Sequence, residues 1–221
     1  MPGIVSAVLV LMTLLLPAVS RAAPTVDCHC FRDRSFDPAR PTASNDYILA
    51  TSRNSMLASV YGVHKKEIVR ARMSGTSALD LWIALDLART TGQPVTMWLE
   101  RRAGSDSWQQ AMRRQKVETA WADWLDKDRQ QLYDRIVALT LRVDDAVVRS
   151  LRADGADDRE LVAALVLAPL LRETPVKLLR QVRANGGSWG ARLHGAGISP
   201  TDIGSQVAVH VTRERLDRPT R

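Results

Sequence analysis

The stretch LVAALVLAPLL, residues 161–171, is apolar on every side and decides the fold class. A helix with a polar face lies at a surface, whereas a helix that is apolar all round is buried. We therefore expect residues 161–171 to form the central buried helix of the protein. Pro169 should end or kink this helix, because proline lacks the N–H group that a helix interior needs. The run is too short to cross a bilayer, since a helix that does so needs roughly 20 apolar residues.

Apolar residues recur at helical spacing through most of the chain after Asp46. Gly62, Gly75 and Gly92 are the residues at which we expect the first three helices to end. The pattern predicts helices over residues 47–61, 64–73, 78–89 and 94–102, and one or two helices over 108–140. The sequence therefore predicts an all-α fold.

An internal repeat relates two parts of the chain, since residues 94–108 and residues 175–189 share six identities. The pairs that should be structural are Pro94 and Pro175, Ser107 and Ser188, and Trp108 and Trp189. Each serine can cap a helix whose first turn holds the tryptophan. Chance matching between two helical stretches is the alternative. The repeat predicts two tandem related units that pack together, residues 47–122 and 123–204, joined by an amphipathic helix over residues 121–141. A C-terminal tail, residues 205–221, follows them.

The second copy contains Arg183-Ala-Asn-Gly-Gly-Ser-Trp-Gly190, followed by Leu193 and Gly197-Ile198. This stretch resembles a motif of uncharacterised secreted bacterial helical proteins, in which an arginine, a glycine-containing loop and Ser-Trp-Gly follow helical units, often in duplicate. The resemblance covers mainly residues 158–198, and residues 77–117 less faithfully. It implies a secreted helical protein and carries no known activity.

The N-terminal residues have the pattern of an export signal. Residues 4–16 form an apolar run that is short for a membrane anchor, and small residues suited to a signal peptidase follow it. We predict a signal peptide over residues 1–22 and an extended, solvated segment over residues 23–46. The mature protein should then lie in the periplasm or outside the cell, without a transmembrane segment.

Both cysteines lie in Asp27-Cys28-His29-Cys30, near the predicted mature N-terminus. Two thiolates, with His29 as a third ligand, suit Cu(I), so Cys28, His29 and Cys30 are a candidate soft-metal site. A Cys28–Cys30 disulfide closes a small strained ring, which suits thiol exchange. A disulfide without catalytic purpose is the third possibility. We predict no cofactor other than possible Cu(I).

Positive charge is concentrated in the first unit, although the whole chain carries +7. Residues 47–122 hold 11 basic and 6 acidic residues, whereas residues 123–204 hold 12 of each. A basic surface of this kind suits an anionic envelope component or another protein, and a solvated helix face is the alternative. The candidate contact residues are Lys65, Lys66, Arg70, Arg72, Arg113, Arg114 and Lys116.

The sequence contains none of the usual motifs of hydrolases, nucleotide-binding proteins or zinc proteases.

Residues 188–207 have the pattern of a helix-turn-helix, in which Thr201, Asp202, Ser205 and Gln206 would face a DNA groove. The second helix of that motif has no Lys or Arg, and phosphate contacts dominate DNA affinity, so nucleic acid is not expected as a partner. We therefore expect a non-catalytic envelope or extracellular interaction protein, with thiol or copper chemistry at Cys28 and Cys30 as the alternative.

Overall fold

The computed structural model describes residues 31–125, 127–184 and 186–217, and it confirms the all-α fold. Eleven α-helices and two short 3-10 helices, without a strand, make up this described part of the chain. The α-helices are α1 (Asn45–Tyr61), α2 (Lys65–Met73), α3 (Ala78–Thr91), α4 (Val95–Ala103), α5 (Trp108–Arg113), α6 (Arg129–Leu141), α7 (Asp145–Ala153), α8 (Asp158–Leu167), α9 (Pro175–Arg183), α10 (Trp189–Gly195) and α11 (Ile203–Asp217). The 3-10 helices are Ala122–Trp124 and Pro200–Asp202.

Two helices, α1 and α8, share the centre of the molecule. The predicted buried helix is α8, where residues 161–168 are all buried, and Pro169 follows directly after this run. The prediction of a single central helix was wrong, because α1 is buried on every side from Tyr47 to Leu57 and packs against both α8 and α11. The sequence did not indicate the burial of α1, because residues 51–55 (Thr-Ser-Arg-Asn-Ser) are polar and nevertheless lie in the core.

Helices α1–α5 come first along the chain and helices α6–α10 come next, and we call these two groups the first and second halves. Ser107 and Ser188 cap α5 and α10 as predicted, by accepting hydrogen bonds from the N–H groups of Gln110 and Ala191. Trp108 and Trp189 are both buried at the starts of these helices. Pro175 opens α9, whereas Pro94 stands one residue before α4. That the halves arose by duplication stays a prediction.

The predicted joining helix over residues 121–141 is wrong in its first part. Helix α5 ends at Arg113, and α6 begins only at Arg129, so Trp121 and Leu125 precede it. The side chain of Asp128 accepts hydrogen bonds from the N–H groups of Gln130 and Gln131, and this cap sets the start of α6. The backbone of Lys116 has a φ of 53°, which a continuous helix does not allow.

Both terminal segments pack on the core, contrary to two predictions. The supposed C-terminal tail lies largely in α11, whose Val207 and Val211 are buried. Residues 31–44, the described part of the predicted extended segment, form turns, and the Phe36 ring stacks on His194 with centroids 4.7 Å apart, whereas the predicted signal peptide, residues 1–22, lies outside the described residues. Among the residues that the structure describes, no helix has the length and apolar character needed to cross a membrane.

Candidate anion-binding site

A cavity of about 570 Å³ lies where α3, α6 and α8 begin. Its wall includes the first two residues of each of these helices: Ala78 and Leu79, Arg129 and Gln130, and Asp158 and Arg159. The first N–H groups of a helix lack partners within the helix, and the helix dipole places partial positive charge at that end. Side chains of Ser77, Asp128 and Asp157 already accept hydrogen bonds from N–H groups at these three starts, so what the cavity receives from them is the partial positive charge of the helix dipoles and not free N–H groups.

Arginines dominate the described lining, and we call this space the arginine cavity. Five arginines and two aspartates, Asp157 and Asp158, line it, which leaves three more positive than negative charges on the described lining residues. The five arginines come from five different helices. They are Arg53 of α1, Arg72 of α2, Arg129 of α6, Arg152 of α7 and Arg159 of α8.

The buried wall of the cavity is formed by Arg53 and Tyr133, which are 4% and 2% exposed. Burial lowers the pKa of Arg53 to about 10, and the nearby charges of Arg72 and Arg159 also lower it. The guanidinium nevertheless remains cationic at neutral pH. Burial raises the pKa of Tyr133, so its hydroxyl stays protonated and donates a hydrogen bond to the carbonyl oxygen of Asp158 at 3.2 Å.

On the α8 side, both lining carboxylates are bound within the protein. Arg152 donates to Asp134 Oδ1 and to Asp158 Oδ1, each at 2.6 Å, and to the carbonyl oxygen of Ala156 at 2.8 Å. Arg159 lies 3.5 Å from Asp157 Oδ2. The two aspartates of the described lining are therefore already paired with arginines of the same lining.

On the α3 side, two guanidiniums are fixed at adjacent residues. Arg72 donates to the carbonyl oxygen of Thr76, and Arg129 Nη2 donates to Ser77 Oγ at 2.7 Å. Burial lowers the pKa of Arg72, and the charge of Arg129 lowers it further. Two like charges next to a helix start repel each other, and an anion between them offsets that repulsion.

The structure places the seven predicted contact residues in three different settings. Among them only Arg72 belongs to the described lining of the arginine cavity. Lys65 is half-buried against Gly204 of α11, and this burial lowers its pKa. The other five are exposed, on α2 or at the end of α5 and beyond it: Lys66, Arg70, Arg113, Arg114 and Lys116.

The other predicted sites stay predictions. Cys28, His29 and Cys30 lie outside the described residues, and the described residues contain no cluster of three or more His, Cys, Asp or Glu side chains able to hold a metal. The helix-turn-helix pattern corresponds to α10, a turn at Gly197 and α11. Helix α11 packs along α1, and Ile203 and Val207 on it are buried.

Sequence reasoning missed four of the five arginines and Tyr133. The spacing Arg-x-x-Gly at Arg72 and Arg152 is not a specific signal, because it also occurs at Arg89, Arg101, Arg183 and Arg192. The available signal was an arginine inside the polar stretch of α1. Comparisons of the chain with protein-family models, with curated proteins and with solved structures find no match. The functional argument therefore rests on the geometry of the cavity.

Proposed function

We propose that this protein is an exported, non-catalytic binding protein that holds a small anionic ligand in the arginine cavity. The observation that carries the proposal is the convergence of five arginines and three helix starts on one cavity. Its volume of about 570 Å³ falls within the range of small-molecule sites, roughly 300–1,000 Å³. The notion of an anionic partner agrees with the basic character of the first half.

Two physical terms favour anion binding at this position. Hydrogen bonds between a guanidinium and an anion are charge-assisted, and each contributes about 1.5–3 kcal/mol where the groups are shielded from water. The start of α3 adds a smaller favourable term, about 0.3–1 kcal/mol, whereas the carboxylates of Asp128 and Asp157 already cap α6 and α8. Burial is the main cause of the lowered pKa values of Arg53 and Arg72, and the charges of neighbouring arginines lower them further.

Calorimetric titration of the full chain with inorganic phosphate and with citrate tests the proposal. We expect binding of at least one of these anions at millimolar concentration, with a rise in the melting temperature. Arg129→Gln should weaken the binding about tenfold, because it removes one guanidinium from the cavity. Arg149→Gln is the matched control, since Arg149 is exposed on α7 and the charge change is the same. A wild-type chain that binds neither anion contradicts the proposal.

Export is the second part of the proposal, and residues 4–16 together with the resemblance to secreted helical proteins support it. Intact mass of protein recovered from the envelope, after alkylation of free thiols, tests it. We expect a mature species that begins at Arg21 or Ala23. The same spectrum reports whether Cys28 and Cys30 are free or joined. An uncleaved chain recovered from the cytoplasm contradicts export and makes DNA binding the next measurement.

A further inference from the structure

A second cavity, of about 550 Å³, lies at the far ends of the three helices that begin at the arginine cavity. Its wall includes residues from the last turns of α3, α6 and α8: Arg89, residues 139–141, Leu165 and Val166. These helices have 10 to 14 residues and are about 15–20 Å long. The two described linings share no residue, so the second cavity is a separate space.

Apolar side chains dominate the second lining, and we therefore call this space the apolar cavity. Ten of its sixteen described lining residues are valine, leucine or proline, among them Val60 of α1, Val147 of α7 and Val211 of α11. Its volume lies in the range of small-molecule sites, roughly 300–1,000 Å³, and such sites combine an apolar lining with a few polar groups. The apolar cavity therefore suits a ligand whose body is apolar.

The charges around the apolar cavity balance one another. Arg89 and Arg142 contribute two positive charges to the described lining. Asp144 and Glu214 contribute two negative charges, and His210 is the remaining titratable residue. The C-terminal ends of α3, α6 and α8 carry partial negative charge, which the nearby starts of α7 and α9 largely offset. A charged ligand would lose its hydration here without a compensating excess of opposite charge, so the lining favours a neutral ligand.

The carbonyl oxygen of Leu165 supplies a polar contact at the end of α8. In a helix this oxygen accepts a hydrogen bond from the N–H group four residues later, but that residue is Pro169, which has no N–H. The backbone is still helical at Ala168, with φ −55° and ψ −44°, and the N–H of Ala168 donates to the carbonyl oxygen of Ala164. Leu165 and Pro169 both line the apolar cavity. A donor on a ligand can therefore take the place of the N–H group that the proline lacks.

We propose that the apolar cavity binds a neutral small molecule with an apolar body and a hydroxyl group, which donates its hydrogen bond to the carbonyl oxygen of Leu165. The site is separate from the arginine cavity, and it does not depend on the proposed anion-binding function. A hydroxyl group suits the position better than an ammonium group, because two arginines share the lining with the two carboxylates.

Calorimetric titration of the full chain with 1-octanol and with its isomer 1-methoxyheptane tests the ligand class. The two molecules have the same atoms, but the ether has no O–H group. At pH 8, where a histidine side chain is ordinarily neutral, octanol should bind about threefold or more tightly than the ether. Octylammonium and octanoate should displace octanol only at concentrations above the Kd of octanol. Arg129→Gln, in the arginine cavity, should leave the octanol affinity unchanged.

Pro169→Ala tests the contact with the Leu165 carbonyl oxygen. The N–H group that alanine brings should donate to this oxygen within the helix, so the preference for octanol over the ether should disappear. Pro175→Ala is the matched control, because it removes a proline ring from the same lining. Pro175 is the first residue of α9, where an N–H group has no partner within the helix, so this variant should keep the preference.

Val147→Phe tests the location of the apolar body, since the larger side chain fills part of the cavity and should weaken octanol binding about tenfold. Val176→Phe is its control: Val176 is also half-buried but lies outside the described lining, and the affinity should not change. A wild-type chain that does not bind octanol, or Val147→Phe that binds it as the wild type does, overturns the site. A preference for octanol that survives Pro169→Ala overturns the contact with Leu165, and stronger displacement by either charged compound overturns the neutral class. These outcomes leave the anion-binding function standing, because phosphate and citrate test it separately.

Discussion

At the start of α8 the acidic side chains are bound by the protein itself, whereas at the start of α3 two arginines stand beside an alanine. Asp157 and Glu160 form a reciprocal capping box, and Glu160 also accepts a hydrogen bond from Arg183 at 2.5 Å. Asp158 binds Arg152. The corresponding positions in α3 are Ser77, Asp80 and Ala78, of which Asp80 accepts a hydrogen bond from Trp108 Nε1 at 2.8 Å.

The same arrangement of helices therefore carries different residues at its charged positions in the two halves. In the second half, the charges of the arginine and the helix start are compensated by acidic side chains, so that this region contributes to the fold. In the first half, Ala78 stands at the position of Asp158, and Ser77 Oγ donates a hydrogen bond to Asp80 Oδ2 at 2.5 Å. The comparison also extends to the core, where Trp82 and Trp98 of the first half align with Val162 and Leu179 of the second, while Trp108 aligns with Trp189.

The largest expected effect concerns Trp82 and Val162, which hold corresponding core positions in α3 and α8. Both are fully buried, and the Trp82 ring packs on that of Tyr133 with centroids 5.2 Å apart. Trp82→Ala should lower the free energy of unfolding by about 3–5 kcal/mol, because it removes a large side chain and leaves a cavity. Val162→Ala should cost about 2 kcal/mol by the same mechanism. Urea unfolding of both variants measures the two losses, and equal losses contradict the aromatic dependence of the first half.

Local sequence signals predicted the helices of the first half well. Gly62 and Gly92 have positive φ at the ends of α1 and α3, and glycine adopts that conformation without steric cost. The side chain of Ser77 accepts a hydrogen bond from the N–H of Asp80 and sets the start of α3. Such features lie within a few residues of the boundary that they determine, so the sequence is sufficient to place them.

The arginine cavity could not be predicted in the same way, because its parts are brought together by tertiary packing. Its five arginines are spread over residues 53–159 and reach one space only after five helices pack. The burial of Arg53 depends on α8 and α11 covering α1, which the polar sequence of residues 51–55 argued against. The late start of α6 was missed for another reason. The leucine spacing begins at Leu125, before the helix, whereas the cap at Asp128 makes α6 begin only at Arg129.

A second prediction compares Gly190 and Gln109, which follow the two repeated tryptophans. A Cβ atom at Gly190 would lie 2.7 Å from Ser44 Oγ and 3.2 Å from the carbonyl oxygen of Pro41, so the segment before α1 must shift to admit it. Gly190→Ala should therefore lower the free energy of unfolding by about 1–3 kcal/mol, despite the better helix propensity of alanine. Gln109→Ala, in the first turn of α5, should change it by less than about 1 kcal/mol.

Phe36 provides the control for this comparison, because its ring would lie 3.0 Å from the new Cβ atom. Phe36→Ala removes one of the groups that a Cβ atom at residue 190 would meet. The double variant should therefore lose less unfolding free energy than the sum of the losses of Phe36→Ala and Gly190→Ala. Thermal unfolding of the three variants gives the coupling energy. Strictly additive losses would show that the segment before α1 does not restrict residue 190.

The smallest expected effect concerns Tyr133 of the second half, which lies with Arg53 of the first half in the buried wall of the cavity. Burial raises the pKa of Tyr133 above its ordinary value of 10.0, so above that pH the unfolded chain loses the phenolic proton while the folded protein keeps it. Folding then requires proton uptake, and the wild type loses stability by about 1.4 kcal/mol per pH unit as the pH rises. Arg53, whose pKa burial lowers to about 10, acts in the opposite direction and is present in both the wild type and Tyr133→Phe.

Tyr133→Phe should be less stable than the wild type at neutral pH by about 1 kcal/mol, because it lacks the hydrogen bond to Asp158. Urea unfolding across the alkaline range should show this gap closing by about pH 11. A gap that does not change with pH would mean that the Tyr133 phenol ionises in the folded protein as it does in the unfolded chain, and that water reaches the buried wall between the two halves.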